Sequence, residues 1–574
     1  MTRMGDLIQS TPAIAGLRNQ YPGACITLMV TSAFEEFSKK IPHIDKRVVF
    51  DIRQFEDRKN LNGFLWIELY RYLESLLNDL KANEYDLLIN LSHSKLSALM
   101  ISYLGIKNMR GFGCNGNGER ITLDPWMQYF GTEPFNRMFN PFNLVEIFTR
   151  SAGVSPEDNP IRLVANSVDS ESVREITSKY NIKEGDFVIG IQAGSSLEGR
   201  RWSPEAFAEL ADGLIESLGA KIILFGVNSE KLLAEKIISC AQHKDSVIDL
   251  TGKTNIDQLA TLVKRCSYLV SNDTGTMHIA AAVGTTIIGL FFAHAHPFET
   301  APYSSGHLIF QARIPCAPCS YGVECNNVVC VRKVLPEHLL SMIQNHLVEG
   351  DWRITDSMSG LEEVNIFNTY LGEDRRLRLR PLIKYSLTLN DIFREIYTDH
   401  WLYFLGRVKV NESTHCDIGD LLLREYDCSN TSKLSMQIEE ILCILRSLGK
   451  LASKGICNSD EIIQICSGDM STKINMVKVL ADKIEKLDEK IGQIGFVHPE
   501  LKSITDMFTK RKENIQDNDP VQLAKDTKKC YQSLLEEGIS LGGSLISVLK
   551  TLKSANADVF QAAVSSINVE VPGR

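Results

Sequence analysis

Residues 1 to about 345 alternate short β-branched runs with amphipathic helical stretches, and this alternation restricts the fold more than any other feature. It is typical of parallel β-sheets covered by α-helices. The alternation occurs on both sides of a polar, Pro-rich stretch at 155–160, which predicts a linker. Strands are predicted at 25–30, 47–50 and 86–90 before this stretch and at 187–192, 221–225, 268–271 and 286–290 after it. Two successive doubly wound units predict a ligand cleft between two domains.

Helices are predicted between these strands, at 11–19 and from Pro204, Ser229 and Ile256 onward. The most membrane-like run is 278–295, but a membrane-spanning helix needs about 20 mainly apolar residues. A histidine begins this run and Gly-Thr-Thr interrupts it. The run therefore predicts a short helix, a turn and a buried strand.

The pattern changes after about residue 350. The stretch 365–384 is predicted to be extended, with Arg376, Arg378 and Arg380 alternating with leucines. These arginines could contact lipid or sugar phosphates, but a solvated strand face is more usual and is the interpretation that we favour. From residue 431 onward apolar residues recur at helical spacing, which predicts a helical bundle or a short coiled coil. The apolar series are Leu434, Ile438, Ile441, Leu445 and Leu448, then Ile474, Val477, Ala481, Ile484, Leu487, Ile491 and Ile494.

Four regions are therefore predicted: α/β domains at 1–160 and 161–350, a mixed connecting segment at 351–430 and a helical domain at 431–574. The helical tail offers a surface for oligomer formation. A formal net charge of -9 argues against nucleic acid as a partner, because phosphate binding favours a basic face. The chain has 14 cysteines and no signal-peptide pattern at its amino terminus. We expect a reducing, cytoplasmic environment.

The run 3–12 (R-M-G-D-L-I-Q-S-T-P) contains a Gly-Asp pair that leads into a helical stretch. Gly5 allows a ligand to approach closely, and Asp6 can accept a proton. Asp6 could equally cap the helix. The spacing alone leaves both roles open.

A second motif, S-N-D-T-G-T-M-H at 271–278, joins a predicted strand to a predicted helix. Backbone N–H groups, two threonine hydroxyls and the positive end of a helix favour phosphate binding there, and His278 could add a donor. A capped strand-to-helix turn is the alternative, but the density of small polar residues favours a ligand site.

The third motif follows another strand: Q-A-G-S-S at 192–196, then G-R-R-W-S-P at 199–204. Small residues after a strand can line a cleft, and Arg200 and Arg201 can pair with diphosphate oxygens. The alternative is that both arginines are merely solvated.

These three motifs, in this order, resemble glycosyltransferase family 9, which contains the bacterial ADP-heptose:lipopolysaccharide heptosyltransferases. The resemblance covers about residues 1–345. It implies a GT-B fold of two Rossmann-like domains, the first for the acceptor and the second for an ADP-sugar. It also implies inverting transfer that needs no metal. The predicted fold class is thus α/β, with a mainly α-helical domain added at the carboxyl end.

The resemblance assigns roles to individual residues. Asp6 matches the base that deprotonates the acceptor hydroxyl, and Arg200, where the family usually has a lysine, would neutralise the leaving ADP. An acidic residue often follows the Leu-Phe-Gly strand end and binds the nucleoside, and here either Asn228 or Glu230 could serve. The other predicted nucleotide-sugar contacts are Gly194, Ser195, Ser196, Arg201, Asp273, Thr274, Gly275, Thr276 and His278.

Two departures from the family accompany this match. A hydrophobic strand normally precedes the Gly-Asp motif, and here only M-T-R-M does so; we expect the true start to lie upstream. The region after residue 350 has no counterpart in the short lipopolysaccharide enzymes.

Four cysteines lie close together at Cys316, Cys319, Cys325 and Cys330. Their spacing suits a closed, structural zinc or iron site, with free thiols as the alternative. A catalytic metal is not expected, because four thiolates leave no open position.

The predicted function is transfer of heptose, or a related sugar, from an ADP-sugar to the lipopolysaccharide core at the inner face of the cytoplasmic membrane, with peripheral membrane contact. Two alternatives remain. One is a transferase with a protein acceptor that docks through the carboxy-terminal domain. The other is a non-catalytic scaffold or binding protein.

Overall fold

The structure is a computed structural model that describes residues 3–51, 63–132, 137–156, 160–164, 171–355, 358–406, 418–429, 431–467 and 474–567. It divides into two compact units, each formed by two segments of the chain. Unit 1 comprises 1–113 and 142–383, and unit 2 comprises 114–141 and 384–574. Part of the predicted linker, 157–159, lies outside the described residues.

Thirteen strands lie within the described residues. They are β1 (Thr27–Thr31), β2 (Lys46–Phe50), β3 (Leu88–Asn90), β4 (Met109–Cys114), β5 (Arg120–Thr122), β6 (Val188–Gln192), β7 (Lys221–Phe225), β8 (Val247–Asp249), β9 (Tyr268–Asn272), β10 (Thr286–Phe291), β11 (Leu308–Ala312), β12 (Val364–Leu371) and β13 (Leu377–Pro381).

Twenty α-helices accompany them in the described ranges. They are α1 (Met4–Gln9), α2 (Thr11–Gln20), α3 (Glu35–Ser38), α4 (Gly63–Lys81), α5 (Lys95–Leu104), α6 (Pro125–Thr132), α7 (Leu144–Ser151), α8 (Glu171–Lys179), α9 (Pro204–Leu218), α10 (Lys231–Cys240), α11 (Ile256–Arg265), α12 (Gly275–Val283), α13 (Pro297–Thr300), α14 (Pro336–Glu349), α15 (Leu389–Gly406), α16 (Ile418–Glu425), α17 (Thr431–Cys466), α18 (Ile474–Val497), α19 (Lys502–Glu513) and α20 (Pro520–Ile567).

An eight-stranded sheet dominates unit 1, in the order β13-β12-β11-β10-β9-β6-β7-β8. Strands β6 to β11 are parallel, and β12 and β13 join them as an antiparallel hairpin. Both faces of this sheet are covered by buried apolar side chains, which explains why its strands are continuous hydrophobic runs rather than alternating ones. The alternation in the sequence is confirmed, and 221–225 coincides with β7.

The earlier part of unit 1 contains two smaller sets of parallel strands. Strand β1 pairs with β2, and β3 pairs with β4. Helices α1 and α2 contact α7, and α1 also packs against α12 of the large sheet's helical layer. The contact between α1 and α12 brings the Gly-Asp motif next to the second motif.

The hairpin of β12 and β13 corrects two predictions about 351–430. This segment was predicted to connect domains, but 364–381 extends the main sheet because β12 pairs with β11. The arginine stripe is also a solvated face only in part, because Arg376 is buried whereas Arg378 is half-buried and Arg380 is exposed. Arg376 is buried and its Nε lies 3.2 Å from Oε2 of the equally buried Glu146. Arg378 pairs with Asp374 at 3.0 Å, and the guanidinium of Arg380 lies 4.5 Å from the Tyr370 ring centroid.

Unit 2 is mainly helical. The long helices α17 and α20 pack together. Their ion pairs show that they run antiparallel: Lys528 pairs with Asp460, and Lys553 pairs with Glu439. Within the same unit, the side chain of Asn514, which follows α19, makes two hydrogen bonds to the Thr122 backbone. Its Nδ2 donates to the Thr122 carbonyl, and its Oδ1 accepts from the Thr122 N–H. Unit 2 therefore includes 114–141, which the sequence had assigned to the first domain.

The apolar series of the tail are confirmed in part. All five predicted core residues of α17 are buried. In α18, Ile484, Leu487 and Ile491 are buried, but Ile474 and Ala481 are exposed, because the buried seam runs through Leu480 instead. Helix α20 begins at Pro520, and Asp519 Oδ2 accepts a hydrogen bond from the Gln522 N–H at 2.9 Å.

The run 278–295 contains the end of α12, a turn and β10, as predicted. Across the ranges that the structure describes, no helix is both long enough and apolar enough to cross a bilayer.

Candidate active site

The second and third motifs meet at the carboxyl ends of two central, parallel strands of the main sheet. Strands β6 and β9 are parallel neighbours, with Gln192 opposite Ser271, so the loops that follow them lie side by side. Asn272 joins these loops: its Nδ2 donates to the Ala193 carbonyl at 2.7 Å, and its Oδ1 accepts from the Trp202 N–H at 3.2 Å. This is the edge of a parallel sheet at which α/β proteins bind ligands.

Arg200 lies in a short 3-10 turn, Glu198–Arg200, and is only 7% exposed. Its Nη2 forms an ion pair with the Asp273 carboxylate and also donates to the Asp273 carbonyl at 3.3 Å. Its Nε is buried and has no hydrogen-bond partner among the described residues. The alternative of a solvated arginine is therefore wrong for Arg200, because Asp273 draws it into the protein.

Arg201 has a different environment. Its Nε and Nη2 both donate to the Ser195 carbonyl, at 2.9 and 2.6 Å. The two bonds fix the loop after β6, and the Ser195 hydroxyl is buried without a partner in the described structure. Arg201 thus shapes the 194–196 loop through the backbone.

Glu230 lies against the glycines of this edge. Its Oε2 accepts from Gln192 Nε2 at 3.2 Å and from the Val227 N–H at 2.9 Å. A Cβ on Gly194 would lie 1.7 Å from Glu230 Oε1, so a larger residue there would displace the Glu230 carboxylate. Asn228 instead lies against Gly252, where a Cβ would be 2.9 Å from Asn228 Oδ1. Of the two open candidates, Glu230 is the one beside Gly194.

Helix α12 presents its amino terminus at the same edge. Its N-cap residue is Thr274, and no side chain caps the helix. Gly275 and Thr276 occupy its first turn, and the Thr276 hydroxyl donates to Gln192 Oε1 at 3.2 Å. An uncapped helix amino terminus with exposed N–H groups attracts anions.

His278 is buried in the next turn of α12, and its Nδ1 has no partner among the described residues. Burial lowers the pKa of His278 to about 4, and the opposing effect of Asp273 is smaller. The imidazole is therefore neutral at physiological pH and can offer a ligand a neutral hydrogen-bonding group rather than a positive charge.

Two glycines bring Asp6 to this loop. A Cβ on Gly275 would lie 2.5 Å from Met4 Cε, and a Cβ on Gly5 would lie 3.2 Å from His278 Cδ2. Asp6 does not cap α1, because the N-cap residue is Arg3 and no side-chain cap bond is present. Burial raises the pKa of Asp6, and Asp273 raises it further, while Arg3 lowers it. The carboxylate is thus available as a base with increased proton affinity.

The sequence prediction gave no role to Gln192, Asn272 or Thr251. Gln192 and Asn272 are polar ends of buried strands that join the motifs, as described above. The Thr251 hydroxyl is buried near Gly226 and has no partner among the described residues. Gln192 and Asn272 could have been found in the sequence, because each is a polar residue that ends an otherwise apolar strand.

The four predicted metal ligands are not brought together as a site. Cys316 and Cys325 are exposed and Cys330 is buried. Within the described part of the chain, no group of three or more His, Cys, Asp or Glu side chains is arranged to hold a metal ion. The loop instead packs on its neighbours: the Cys319 N–H donates to the Ala293 carbonyl at 2.9 Å, and Val328 lies 3.7 Å from the Cβ position of Gly199.

Comparison with known proteins supports the resemblance found in the motifs. Residues 143–327 match the model of glycosyltransferase family 9 (heptosyltransferase). The chain is 27% identical over 317 residues to lipooligosaccharide heptosyltransferase 2 of Haemophilus ducreyi, covering 54% of this chain and 86% of that protein. It is 24% identical over 307 residues to lipopolysaccharide heptosyltransferase 2 of Escherichia coli, covering 52% and 83%.

Among solved structures, the family 9 glycosyltransferase of Veillonella parvula has a TM-score of 0.50 and 21% identity, over 61% of this chain and 95% of that one. This likeness concerns the fold. The carboxy-terminal helical region lies outside the family match. Residues 143–327 therefore match glycosyltransferase family 9, the fold is of the GT-B type, and a largely helical region follows the matched segment.

Proposed function

We propose that the chain transfers heptose, or a related sugar, from an ADP-sugar to the lipopolysaccharide core, with inversion at the anomeric carbon and without a metal ion. The observation that carries the proposal is the packing of Gly5 on α12, which puts Asp6 next to the Asp273-to-His278 loop. A candidate base on α1 and a candidate diphosphate site at the amino terminus of α12 are then adjacent.

The donor diphosphate binds at the amino terminus of α12 in this proposal. Backbone N–H groups of the first turn and the Thr274 hydroxyl are its donors. The Thr276 hydroxyl joins them by exchanging its hydrogen bond to Gln192 Oε1 for one to the diphosphate. Arg200 contributes its cationic charge, and its Nε has no hydrogen-bond partner in the part of the chain that the structure describes. Gly194, Ser195, Ser196 and Arg201 form the loop on the opposite strand, and Glu230 binds hydroxyls of the nucleoside. Asn228 supports this turn through its contact with Gly252.

One displacement accounts for the chemistry. The acceptor hydroxyl oxygen forms a bond to the anomeric carbon while the bond from that carbon to the diphosphate oxygen breaks. The hydroxyl proton passes to the Asp6 carboxylate, and the electron pair of the broken bond leaves with ADP. Arg200 and α12 stabilise the negative charge on ADP. In-line attack from the face opposite the leaving group inverts the configuration.

The proposed sugar and acceptor class are taken from the relatives' names: the Haemophilus protein is a lipooligosaccharide heptosyltransferase and the Escherichia protein a lipopolysaccharide heptosyltransferase. We place the reaction in the cytoplasm, at the inner face of the cytoplasmic membrane. In this proposal the Cys316–Cys330 loop supports the turn that carries Arg200, through the contact of Val328 with Gly199. Elemental analysis of protein purified without added metal tests for a structural zinc or iron ion in this loop.

Transfer by an Asp6→Asn variant tests the proposal most directly. We expect kcat to fall by about 10²–10⁴-fold, because general-base catalysis contributes on that order, while ADP-heptose binding measured by calorimetry is nearly unchanged. Asp257→Asn, in an ion pair with Lys40 away from the motifs, is the control. Undiminished turnover in Asp6→Asn would remove Asp6 as the base.

The same assay decides between the alternatives. Activity on protein but not on core oligosaccharide would favour a protein acceptor. Absence of any selective thermal shift with ADP-heptose, among a panel of nucleotide-sugars, would favour a non-catalytic binding protein. Product anomers resolved by NMR report inversion, and retention would contradict the single displacement.

A further inference from the structure

One tryptophan of unit 1 differs from all the others. Four of the five tryptophans are at most 3% exposed, whereas Trp66 on α4 is 56% exposed. Burial of aromatic side chains is a main source of stability, so a tryptophan left in water is an informative exception. The other four are Trp126, Trp202, Trp352 and Trp401.

Further exposed aromatic and aliphatic side chains lie near Trp66 in the fold. Tyr70 on α4 and Tyr103 on α5 are 65% and 59% exposed, the highest values among the tyrosines. Helices α4 and α5 contact each other, and Lys81 Nζ lies 5.8 Å from the Tyr103 ring centroid. We call Trp66, Ile67, Tyr70, Leu99 and Tyr103 the aromatic face.

Helical spacing shows that this face points away from the core. Trp66 and Tyr70 are four residues apart on α4, and Leu99 and Tyr103 are four apart on α5. The core-facing sides are formed by other residues, namely Leu69 and Leu80 of α4 and Ala98, Met100 and Leu104 of α5. The aromatic face is thus a second apolar surface on two helices that already bury a first one.

The chemistry of this face suits a lipid headgroup region better than another protein core. Tryptophan and tyrosine have an apolar ring with a polar edge, and they are enriched where a membrane meets water. Lys81 and Lys95 flank the face, and Lys95 is the only charged residue of α5. Lysines can extend their ammonium groups to anionic headgroups while their stems cover apolar surface.

We propose that the aromatic face of α4 and α5 docks this chain on an anionic membrane surface, with the rings in the headgroup region and Lys81 and Lys95 on lipid phosphates. This inference rests on the proposed function, because an acceptor anchored in a membrane must be reached at that membrane. It commits to lipid as the occupant. A partner protein and a second copy of the chain are outcomes that would overturn it.

Vesicle sedimentation of the full chain tests the face without any substrate. The chain is expected to bind vesicles of equal parts phosphatidylcholine and phosphatidylglycerol. Trp66→Ser combined with Tyr70→Ser should weaken binding at least about tenfold, from the lost burial of two rings. The matched controls are Leu232→Ser and Val348→Ser, which remove side chains that are 79% and 82% exposed on other helices of unit 1; these should bind as the wild type does.

Charge variants separate the ionic part of the interaction. Lys81→Gln should weaken binding to the anionic vesicles about fivefold, because one lysine near such a surface is worth roughly that factor. Its binding to pure phosphatidylcholine vesicles should not change. Glu74 lies one turn beyond Tyr70, so Glu74→Gln should strengthen binding to the anionic vesicles. Equal binding of all these variants would overturn the proposal.

Trp66 is also its own probe, since the other four tryptophans are buried. Tryptophan fluorescence should shift to shorter wavelength when anionic vesicles are added, and Trp66→Phe should abolish the shift. No shift with vesicles, or self-association that Trp66→Ser removes, would overturn lipid docking in favour of another occupant.

The two proposals can fail separately. Transfer to a soluble, delipidated core oligosaccharide together with no vesicle binding would overturn the membrane inference alone. Vesicle binding through the aromatic face together with no transfer to any core acceptor would overturn the proposed function alone.

Discussion

Two buried ion pairs between arginine and a carboxylate lie in unit 1, and they differ in how completely their surroundings satisfy them. Glu146 accepts three hydrogen bonds: from Arg376 Nε and the Leu377 N–H at 3.2 Å each and from the Tyr303 hydroxyl at 3.4 Å. Arg376 Nη1 makes no hydrogen bond to any described residue, but it lies 3.9 Å from a second carboxylate, that of Asp374. The cluster joins α7 to the β12–β13 hairpin, and Tyr303 reaches it from the segment between α13 and β11.

The pair of Arg200 and Asp273 is surrounded by unused polar atoms. Arg200 Nε, the Ser195 hydroxyl and His278 Nδ1 are all buried without a partner among the described residues. Buried polar atoms are nearly always hydrogen-bonded in folded proteins, so a group of unsatisfied ones needs an explanation, and here the ligand that we propose supplies it. The comparison indicates that the Glu146 pair is largely satisfied within the fold, whereas the surroundings of the Arg200 pair leave hydrogen-bonding groups free for the ligand that we propose.

The largest expected effect is on the Glu146 pair. Glu146→Ala leaves Arg376 buried without its partner, which should lower the free energy of unfolding by about 3–5 kcal/mol. Calorimetric unfolding of the full chain measures this as a lower transition temperature. Glu363→Ala, which removes an exposed partner of Lys333, is the control and should cost about 1 kcal/mol or less. Similar losses in both variants would contradict a special structural role for Glu146.

Arg200→Ala should weaken ligand binding more than it lowers the free energy of unfolding, which is the opposite of what we expect for Glu146→Ala. ADP binding is expected to weaken about 10–100-fold, because a hydrogen bond from a charged group contributes about 1.5–3 kcal/mol. Calorimetric titration with ADP measures this, and Arg353→Ala, at an exposed arginine, is the control. If Arg200→Ala unfolds as easily as Glu146→Ala while it still binds ADP, the two pairs do not differ in the way described above.

Much of the α/β part could be predicted because its information is local. The ends of β7 and the start of α11 agree with the sequence pattern, since strands and helix starts are specified by runs and caps a few residues long. The loops after β6 and β9 could be predicted as ligand sites for the same reason.

The hairpin and the position of Asp6 depend on distant residues. Arg376 is buried because Glu146, 230 residues earlier in the chain, accepts its hydrogen bond. Asp6 reaches the second motif because α1 packs on α12, through Gly5 and Gly275. Neither contact has a signal in the nearby sequence. The sequence therefore predicts a solvated face for Arg376, and it leaves helix capping and base catalysis equally open for Asp6.

The pH dependence of transfer sharpens the assignment of Asp6. The base must be deprotonated, so kcat/KM should fall as the pH drops through the raised pKa of Asp6. Asp273 helps to raise that pKa, and Asp273→Asn should therefore move the acid limb of the profile to lower pH. Glu205→Gln, at an exposed carboxylate that pairs with Lys236, should leave the limb in place. A limb that stays fixed in Asp273→Asn would show that another group controls it.

The smallest expected effect concerns a single hydrogen bond of the Glu146 cluster. Tyr303→Phe removes the longest of its three donors, so unfolding should become easier by about 0.5–1.5 kcal/mol, the usual net value of one hydrogen bond. Because burial is the main cause that raises the pKa of Tyr303, its hydroxyl stays protonated as a donor. The double variant with Glu146→Ala isolates this bond: once the carboxylate is gone, Tyr303→Phe should cost little more. If the two losses simply add, Tyr303 stabilises the sheet through its ring packing, and the carboxylate depends on Arg376 and the Leu377 N–H alone.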